Sequence, residues 1–217
     1  MGAVLGLVLG VAVVGGIIWL VHRAHQKRLE AMRAACTAMG FTYTERADPD
    51  ELAAAIGELP LFSRGRGRKA WSVMRGSLAG RPAMLMDYEF TTGSGRNQTT
   101  HRQTVALFPD AGGGLPDFEL APENIFHKIG AVFGYQDIDF ETSEEFSKRY
   151  LLRGREEDRV RAALSADALA FFAQNPGWTV QLRGGRVAAY RAGRRCRPEE
   201  APSFLAEALR IASLFAR

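Results

Sequence analysis

The chain opens on a run of apolar positions, Gly2 to Val21 (GAVLGLVLGVAVVGGIIWLV), that carries no charge and no proline. A helix of 20 residues spans about 30 Å, the thickness of a bilayer's hydrocarbon core. The pattern changes at His22-Arg23-Ala24-His25-Gln26-Lys27-Arg28. From there Leu29, Met32, Ala35, Cys36 and Met39 recur at helical spacing, which predicts a helical stalk ending at Gly40. Phe41 to Thr44 alternates and reads as a short strand. Asp48-Pro49-Asp50-Glu51 then opens a helix to about Ile56, with Asp48 as its cap and Pro49 at its first helical position.

Beyond the basic, glycine-rich stretch Ser63 to Lys69 the period shortens to that of strands. Ala70 to Leu78 and Ala83 to Phe90 predict an antiparallel pair joined through Ala79-Gly80-Arg81-Pro82, and proline is tolerated at a strand's start. Gln103 to Phe108 and Asp117 to Leu120 extend them into a four-stranded meander with glycine-rich turns. A helix is expected from Ala121 to Val132, then strands at Ile138 to Phe140 and Tyr150 to Arg153. Glu156 to Gln174 reads as a long helical stretch with a second cap at Ser165. Val180 to Arg183 and Arg186 to Tyr190 form a hairpin over Gly184-Gly185, and a helix closes the chain from Pro198 to Phe215. The predicted fold class is α+β: an N-terminal transmembrane helix, then a cytoplasmic domain with an antiparallel β-meander and helices packed on one side. The divisions are 1–22 for the transmembrane anchor, 23–40 for the stalk and 41–217 for the domain. If the domain holds two cores, the seam falls near Gly154.

A cleavable signal peptide has a basic leader, a shorter apolar core and a small-x-small cleavage site, and this run shows none of them. Trp19 sits near its end, where an amphipathic ring suits the interface. Arg23, Lys27, Arg28 and Arg33 against Glu30 make the following flank positive. The positive-inside rule then puts the N-terminus outside and the domain in the cytoplasm, with the inner membrane as location. Gly2, Gly6 and Gly10 have the small-xxx-small spacing of a helix-packing stripe, which suits a homodimer, although glycine is also simply frequent in membrane helices.

Apolar residues make up 47% of the chain and charged residues 24%, which argues for a folded domain and against disorder. Cys36 and Cys196 have no C-x-x-C companion and read as free thiols. The net charge of +4 is modest, but its distribution is uneven. Six cations (Arg64, Arg66, Arg68, Lys69, Arg75, Arg81) lie between 64 and 81 with no acid among them. Another six (Arg183, Arg186, Arg191, Arg194, Arg195, Arg197) lie between 183 and 197, whereas residues 117–145 carry a net charge of −7. Such polarity suits docking on anionic lipid or on an acidic protein, or else ion pairing inside the fold. No aromatic side chains interleave the arginines as a nucleic-acid platform would require. The candidate anion or lipid contacts are Arg64, Arg66, Arg68, Lys69, Arg183, Arg186, Arg194 and Arg195.

Catalytic signals are sparse. His22 and His25 are three apart but have no third ligand near them, so neither a metal nor another cofactor is expected. No nucleophile elbow, HExxH or phosphate-binding loop is present. His101, His127 and the alternating Asp137, Asp139 and Glu141 are the groups an enzyme would use, and a solvated strand face explains the three acids equally well.

The strings Thr100-His101-Arg102-Gln103-Thr104-Val105, Leu115-Pro116-Asp117-Phe118-Glu119-Leu120-Ala121-Pro122-Glu123, Gln136-Asp137-Ile138-Asp139-Phe140 and Phe146-Ser147-Lys148-Arg149-Tyr150 are informative together. Through them the chain from Phe41 onward resembles a group of uncharacterised bacterial single-pass membrane-anchored proteins with a cytoplasmic α+β domain. The resemblance implies a bacterial origin and carries no activity or site residue with it. Two functions are then expected: a membrane-anchored binding or scaffolding module, basic face toward lipid or an acidic partner, or an enzyme acting on a lipid-linked or phosphorylated substrate at the membrane surface.

Overall fold

The computed structural model describes residues 2–125, 138 and 144–215, with side chains from residue 10 onward except 11 and 144. Helix α1 (Gly2–Ala38) runs without a break through the apolar stretch and the stalk. Gly40, at φ 69°, turns the chain into strand β1 (Thr42–Arg46). Helix α2 (Pro49–Ile56) is capped as predicted: the Asp48 carboxylate accepts from the N–H groups of Asp50 and Glu51, both at 3.0 Å. A 3-10 turn, Pro60–Ser63, leads into β2 (Arg66–Leu78) and β3 (Arg81–Thr92). Their connection, Ala79-Gly80, has φ of 52° and 78°, the handedness that lets two residues join twisted strands. There follow β4 (Thr99–Phe108), β5 (Phe118–Pro122), the short helix α3 (Glu144–Ser147) and β6 (Tyr150–Gly154). Helices α4 (Glu157–Ala163) and α5 (Ala166–Gln174) are separated at Ser165, whose hydroxyl accepts from the Ala168 N–H. The chain finishes with β7 (Thr179–Arg183), β8 (Arg186–Tyr190) and α6 (Ala201–Phe215).

The eight strands among the described residues form one antiparallel sheet in the order β1-β2-β3-β4-β8-β7-β5-β6. The meander therefore comprises β1 to β4, and the expected fourth member at 117–120 is not in it. The β7–β8 hairpin lies between β4 and β5, because β8 pairs with β4 and β7 with β5. The helix expected from Ala121 starts too early, since Ala121 and Pro122 belong to β5 and pair with Leu151 and Tyr150. The remainder of that helix and the strand at 139–140 lie outside the described residues. Gly154 marks no seam: it closes β6 within the continuous sheet, paired with Phe118.

Helices do not cover one side only. The face bearing α1, α5 and α6 holds the larger core, including Met32, Cys36, Leu85, Phe108, Phe172, Trp178 and Ile211. The opposite face, under α2 and the 3-10 turn, holds a smaller one built on Leu59, Leu61, Phe62, Val73, Met86, Tyr88 and Phe90. Strand β3 supplies both, with Ala83 and Leu85 on one side and Met84, Met86, Tyr88 and Phe90 on the other. A strand buried on both faces loses its polar alternation, so its sequence cannot say that a second layer exists.

The stalk is no spacer. Leu29, Met32 and Cys36 are buried, and the last turns of α1 form a wall of the larger core. Tight backbone contact completes the docking: at Gly76 the Phe41 ring occupies the space a side chain would need. Among the described residues no helix is long and apolar enough to cross a membrane, and side chains 2–9 and 11 of the apolar run lie outside that description.

Candidate functional site at the end of the sheet where the first helix leaves

Four contacts fix the direction of α1 across the sheet. Cys36 Sγ lies 3.2 Å from the Phe41 carbonyl oxygen, and the Tyr43 hydroxyl donates to the Leu29 carbonyl at 3.4 Å. Arg28 Nε and Nη2 donate to Asp87 Oδ2 and Oδ1 at 2.7 and 2.9 Å, and the His25 ring meets the edge of Trp71 at 5.6 Å. Tyr43 is paired with Met74, Arg46 with Trp71, and Trp71 with Asp87. Walking back along α1 thus follows β2 from Gly76 toward Arg66. The N-terminal half of the helix departs at the end where β2 begins, β3 ends and β4 begins. That end carries the 93–98 connection with Arg66, Arg68, Lys69, Arg96 and Arg102.

The clamp on α1 is polar and mostly enclosed. Asp87 sits in β3 and also accepts from the Thr104 hydroxyl at 2.7 Å, while Thr104 Oγ1 accepts from the Cys196 N–H at 3.0 Å. A bidentate guanidinium–carboxylate pair fixes both position and rotation of the helix, which one apolar contact does not. Beside it, β2 bulges between Trp71 and Met74, with Ser72 at φ 50°. Such bulges re-aim side chains, and here Trp71 lies between His25 of α1 and Arg46 of β1, whose guanidinium covers the ring at 4.4 Å. Burial pushes both cysteine thiols up from their ordinary value, so neither is a reactive thiolate.

The eight predicted contact residues do not form one patch. Arg64 is buried on the α2 face and donates to Glu119 Oε1 at 2.5 Å, drawing part of the acidic segment into the fold. The same oxygen accepts from Gln181 Nε2 at 2.7 Å, and Gln181 Oε1 accepts from the Leu61 N–H at 2.8 Å. Arg66 and Arg68 bond the carbonyls of Gly93 and Ser63, and Lys69 lies 3.7 Å from Glu89. Arg183 pairs with Glu58 at 3.1 Å, and Arg186 donates to the Ala54 carbonyl at 3.3 Å. These last two sit at the β7–β8 hairpin, where Val187 pairs with Phe108, at the end of the sheet opposite to Arg66. Arg194 and Arg195 lie past the other end of β8, about 16 Å away at the rise of a five-residue strand. Arg195 approaches Asp87 at 4.0 Å and Glu89 at 3.9 Å, and Arg194 is exposed beside a cleft of about 520 Å³ with Lys148, Arg149 and Arg191.

The catalytic candidates gain no common site. His101 stacks on Phe90 at 4.7 Å and shares a 2.8 Å hydrogen bond with Thr92, and burial together with Arg64 lowers its pKa. His127, Asp137, Asp139 and Glu141 lie outside the described residues. Among the described residues no three His, Cys, Asp or Glu side chains gather as metal ligands would. Sequence reading missed Asp87, Glu119 and Gln181. The signal for Asp87 was present, an acid placed between apolar Met86 and Tyr88 in a strand, whereas nothing marks Gln181 as the partner of Arg64.

The architecture is that of an α+β domain with a mixed-order antiparallel sheet and one long N-terminal helix docked on it. No protein-family model matches the sequence, and no curated protein does. Among solved structures, the crystal structure of the mycobacterial trehalose monomycolate transport factor A, TtfA, has the same fold. It aligns with a TM-score of 0.60 at 11% identity, over 87% of this chain and 92% of that one.

Proposed function

We propose that the protein is a membrane-anchored binding module whose cytoplasmic domain is held rigidly against the inner membrane and docks a partner there. The observation that carries this reading is the single helix α1, apolar and uncharged to Val21 and clamped into the domain from Arg28 onward. The described part of its apolar stretch supports it: Val13, Val14, Ile17, Ile18, Trp19, Leu20 and Val21 are each more than half exposed. So large an exposed apolar surface needs a cover, and lipid provides it. The positive flank supports an orientation with the N-terminus outside. The sheet end carrying Arg66, Arg68, Lys69, Arg96 and Arg102 then faces the anionic leaflet, while Arg183 and Arg186 face away from it. Arg23, over Trp19 at 5.1 Å, marks the interface. Gly2, Gly6 and Gly10 offer a second copy its contact within the membrane. The fold shared with the trehalose monomycolate transport factor supports a role connected with transport.

Two measurements test this. The full chain should stay in alkali-washed membranes, and a chain lacking residues 1–21 should be released. A photo-crosslinking residue at position 96 should capture lipid or an integral membrane partner reproducibly, and one at position 184, on the opposite end, should not. Release of the full chain by alkali, or equal capture from both positions, overturns the reading.

A further inference from the structure

Between α2 and the start of β2 the surface opens into a groove in two adjoining parts, of about 340 and 470 Å³. Both parts share Leu52, Arg68, Lys69 and Ala70. One part is floored by Ile56, Phe62 and Tyr88, and the other runs out under Arg46 and Trp71. The floor is apolar and the rim cationic. Two of the nearby acids are engaged elsewhere: Asp48 caps α2, and Glu51 lies 2.9 Å from Arg75. Among the described residues, Lys69 is the rim cation with a carboxylate near it, Glu89 at 3.7 Å, and Lys69 remains 56% exposed. Arg68 uses one nitrogen on the Ser63 carbonyl and Arg46 lies on the Trp71 ring, which leaves further guanidinium N–H donors on both.

The second observation is at the bottom. Tyr88 is 2% exposed, and its hydroxyl is buried without a hydrogen-bond partner among the described residues. Burial raises its pKa, so the hydroxyl keeps its proton and remains a donor. A buried donor left unpaired costs about 1–3 kcal/mol, and a ligand oxygen would recover it. An apolar concavity with a few placed polar groups is the ordinary form of a small-molecule site.

We propose that this groove binds one anionic amphiphile of the adjoining leaflet. Its acyl chain lies on Leu52, Ile56 and Phe62, and its phosphate head on Arg46, Arg68 and Lys69. The Tyr88 hydroxyl donates to an oxygen near the head–chain junction. The groove opens at the same end of the sheet from which α1 departs. The proposal rests on the membrane-anchored reading for the source of its ligand but not for the site.

The test uses the full chain carrying Trp19→Phe in phosphatidylcholine nanodiscs, which leaves Trp71 in the groove and Trp178 in the opposite core as its indoles. Brominated lysophosphatidic acid should quench Trp71 at about a tenth of the concentration needed by brominated lysophosphatidylcholine, since its phosphomonoester carries a net negative charge toward Arg46, Arg68 and Lys69, whereas the choline head is zwitterionic and brings a cation of its own. Glycerol 3-phosphate, a head without a chain, should not displace it. Arg68→Gln with Lys69→Gln should weaken binding by about a hundredfold or more and Tyr88→Phe about fivefold. Ala53→Phe, at an exposed position lining the groove, should block binding without touching the core. Equal quenching by both lipids, displacement by glycerol 3-phosphate, or indifference to the double variant and to Ala53→Phe would each overturn the proposal. Loss of the chain from the nanodiscs would instead break the anchor reading. The quenching is then repeated with free probe below its micellar concentration, under the same criteria.

Discussion

The two faces of the sheet solve the same problem with different materials. The α1 face is broad and aromatic, with Phe171, Phe172, Trp178, Phe204 and Phe215 in contact around α5 and α6. Its most deeply placed ion pair among the described residues, Arg28–Asp87, sits at the margin and holds a helix. The α2 face has less apolar material, and a polar chain runs through it: Arg64, Glu119, Gln181 and the Tyr190 hydroxyl, which receives Gln181 Nε2 at 3.2 Å. Apolar packing tolerates local repair, whereas a buried polar chain fails when one member goes. The larger face thus provides most of the stability, and the smaller one provides a specific arrangement that shapes the groove above it.

The contrast can be broken at several points. Phe172→Ala, at a position with no exposure in the larger core, should cost about 4 kcal/mol and give the greatest loss in a denaturant titration. On the other face Glu119→Leu leaves the Arg64 guanidinium, only 4% exposed, without its carboxylate, and should cost about 3 kcal/mol. Arg64→Met together with Glu119→Leu should restore most of that, which a double-mutant cycle reads directly. Asp87→Asn should cost less, about 2 kcal/mol, because Arg28 at 19% exposure can turn to water. Its cleaner signature is faster proteolysis near residue 30, as α1 loosens while the sheet persists. Asp48→Ala removes a helix cap at the groove's edge and should lower stability by about 1 kcal/mol.

The smallest expected effect is a pH dependence. The folded pKa of His101 is lowered from 6.5 by burial and by Arg64, so the unfolded chain takes up the proton first. Stability should be full above pH 6.5 and decline as pH falls through the lowered folded value. At a half-buried site this amounts to less than about 0.5 kcal/mol. Melting temperatures of the protein and of His101→Gln, compared across that range, isolate it. A decline of the same size in the variant would remove His101 from the account.

Much of the architecture was legible locally. Positive φ at Ala79-Gly80 and Gly184-Gly185, the Asp48 and Ser165 caps and the proline near the start of β3 are all short-range devices, and each element they imply is present. Strand order was not legible, because nothing local tells β5 that a hairpin formed sixty residues later will separate it from β4. The arginine clusters misled for a related reason. Arg183 and Arg194 are near in sequence, but β8 carries the chain across the sheet between them. The groove escaped sequence reading because Leu52, Phe62 and Tyr88 come from three elements, and an orphaned tyrosine hydroxyl has no linear signature.

The unbroken course of α1 gives the molecule a phase as well as a position. A helix without a hinge transmits rotation, and each residue added to it turns everything beyond by about 100° and moves it by about 1.5 Å. One alanine inserted after His22 would swing the groove and the β3–β4 tip to another bearing around the apolar N-terminal half of α1. Three more would return them to within about 40° of the original bearing. On the membrane-anchored reading proposed above, any contact of this domain with lipid or a partner should therefore vary periodically with linker length, as gear teeth engage, rather than fade steadily with distance.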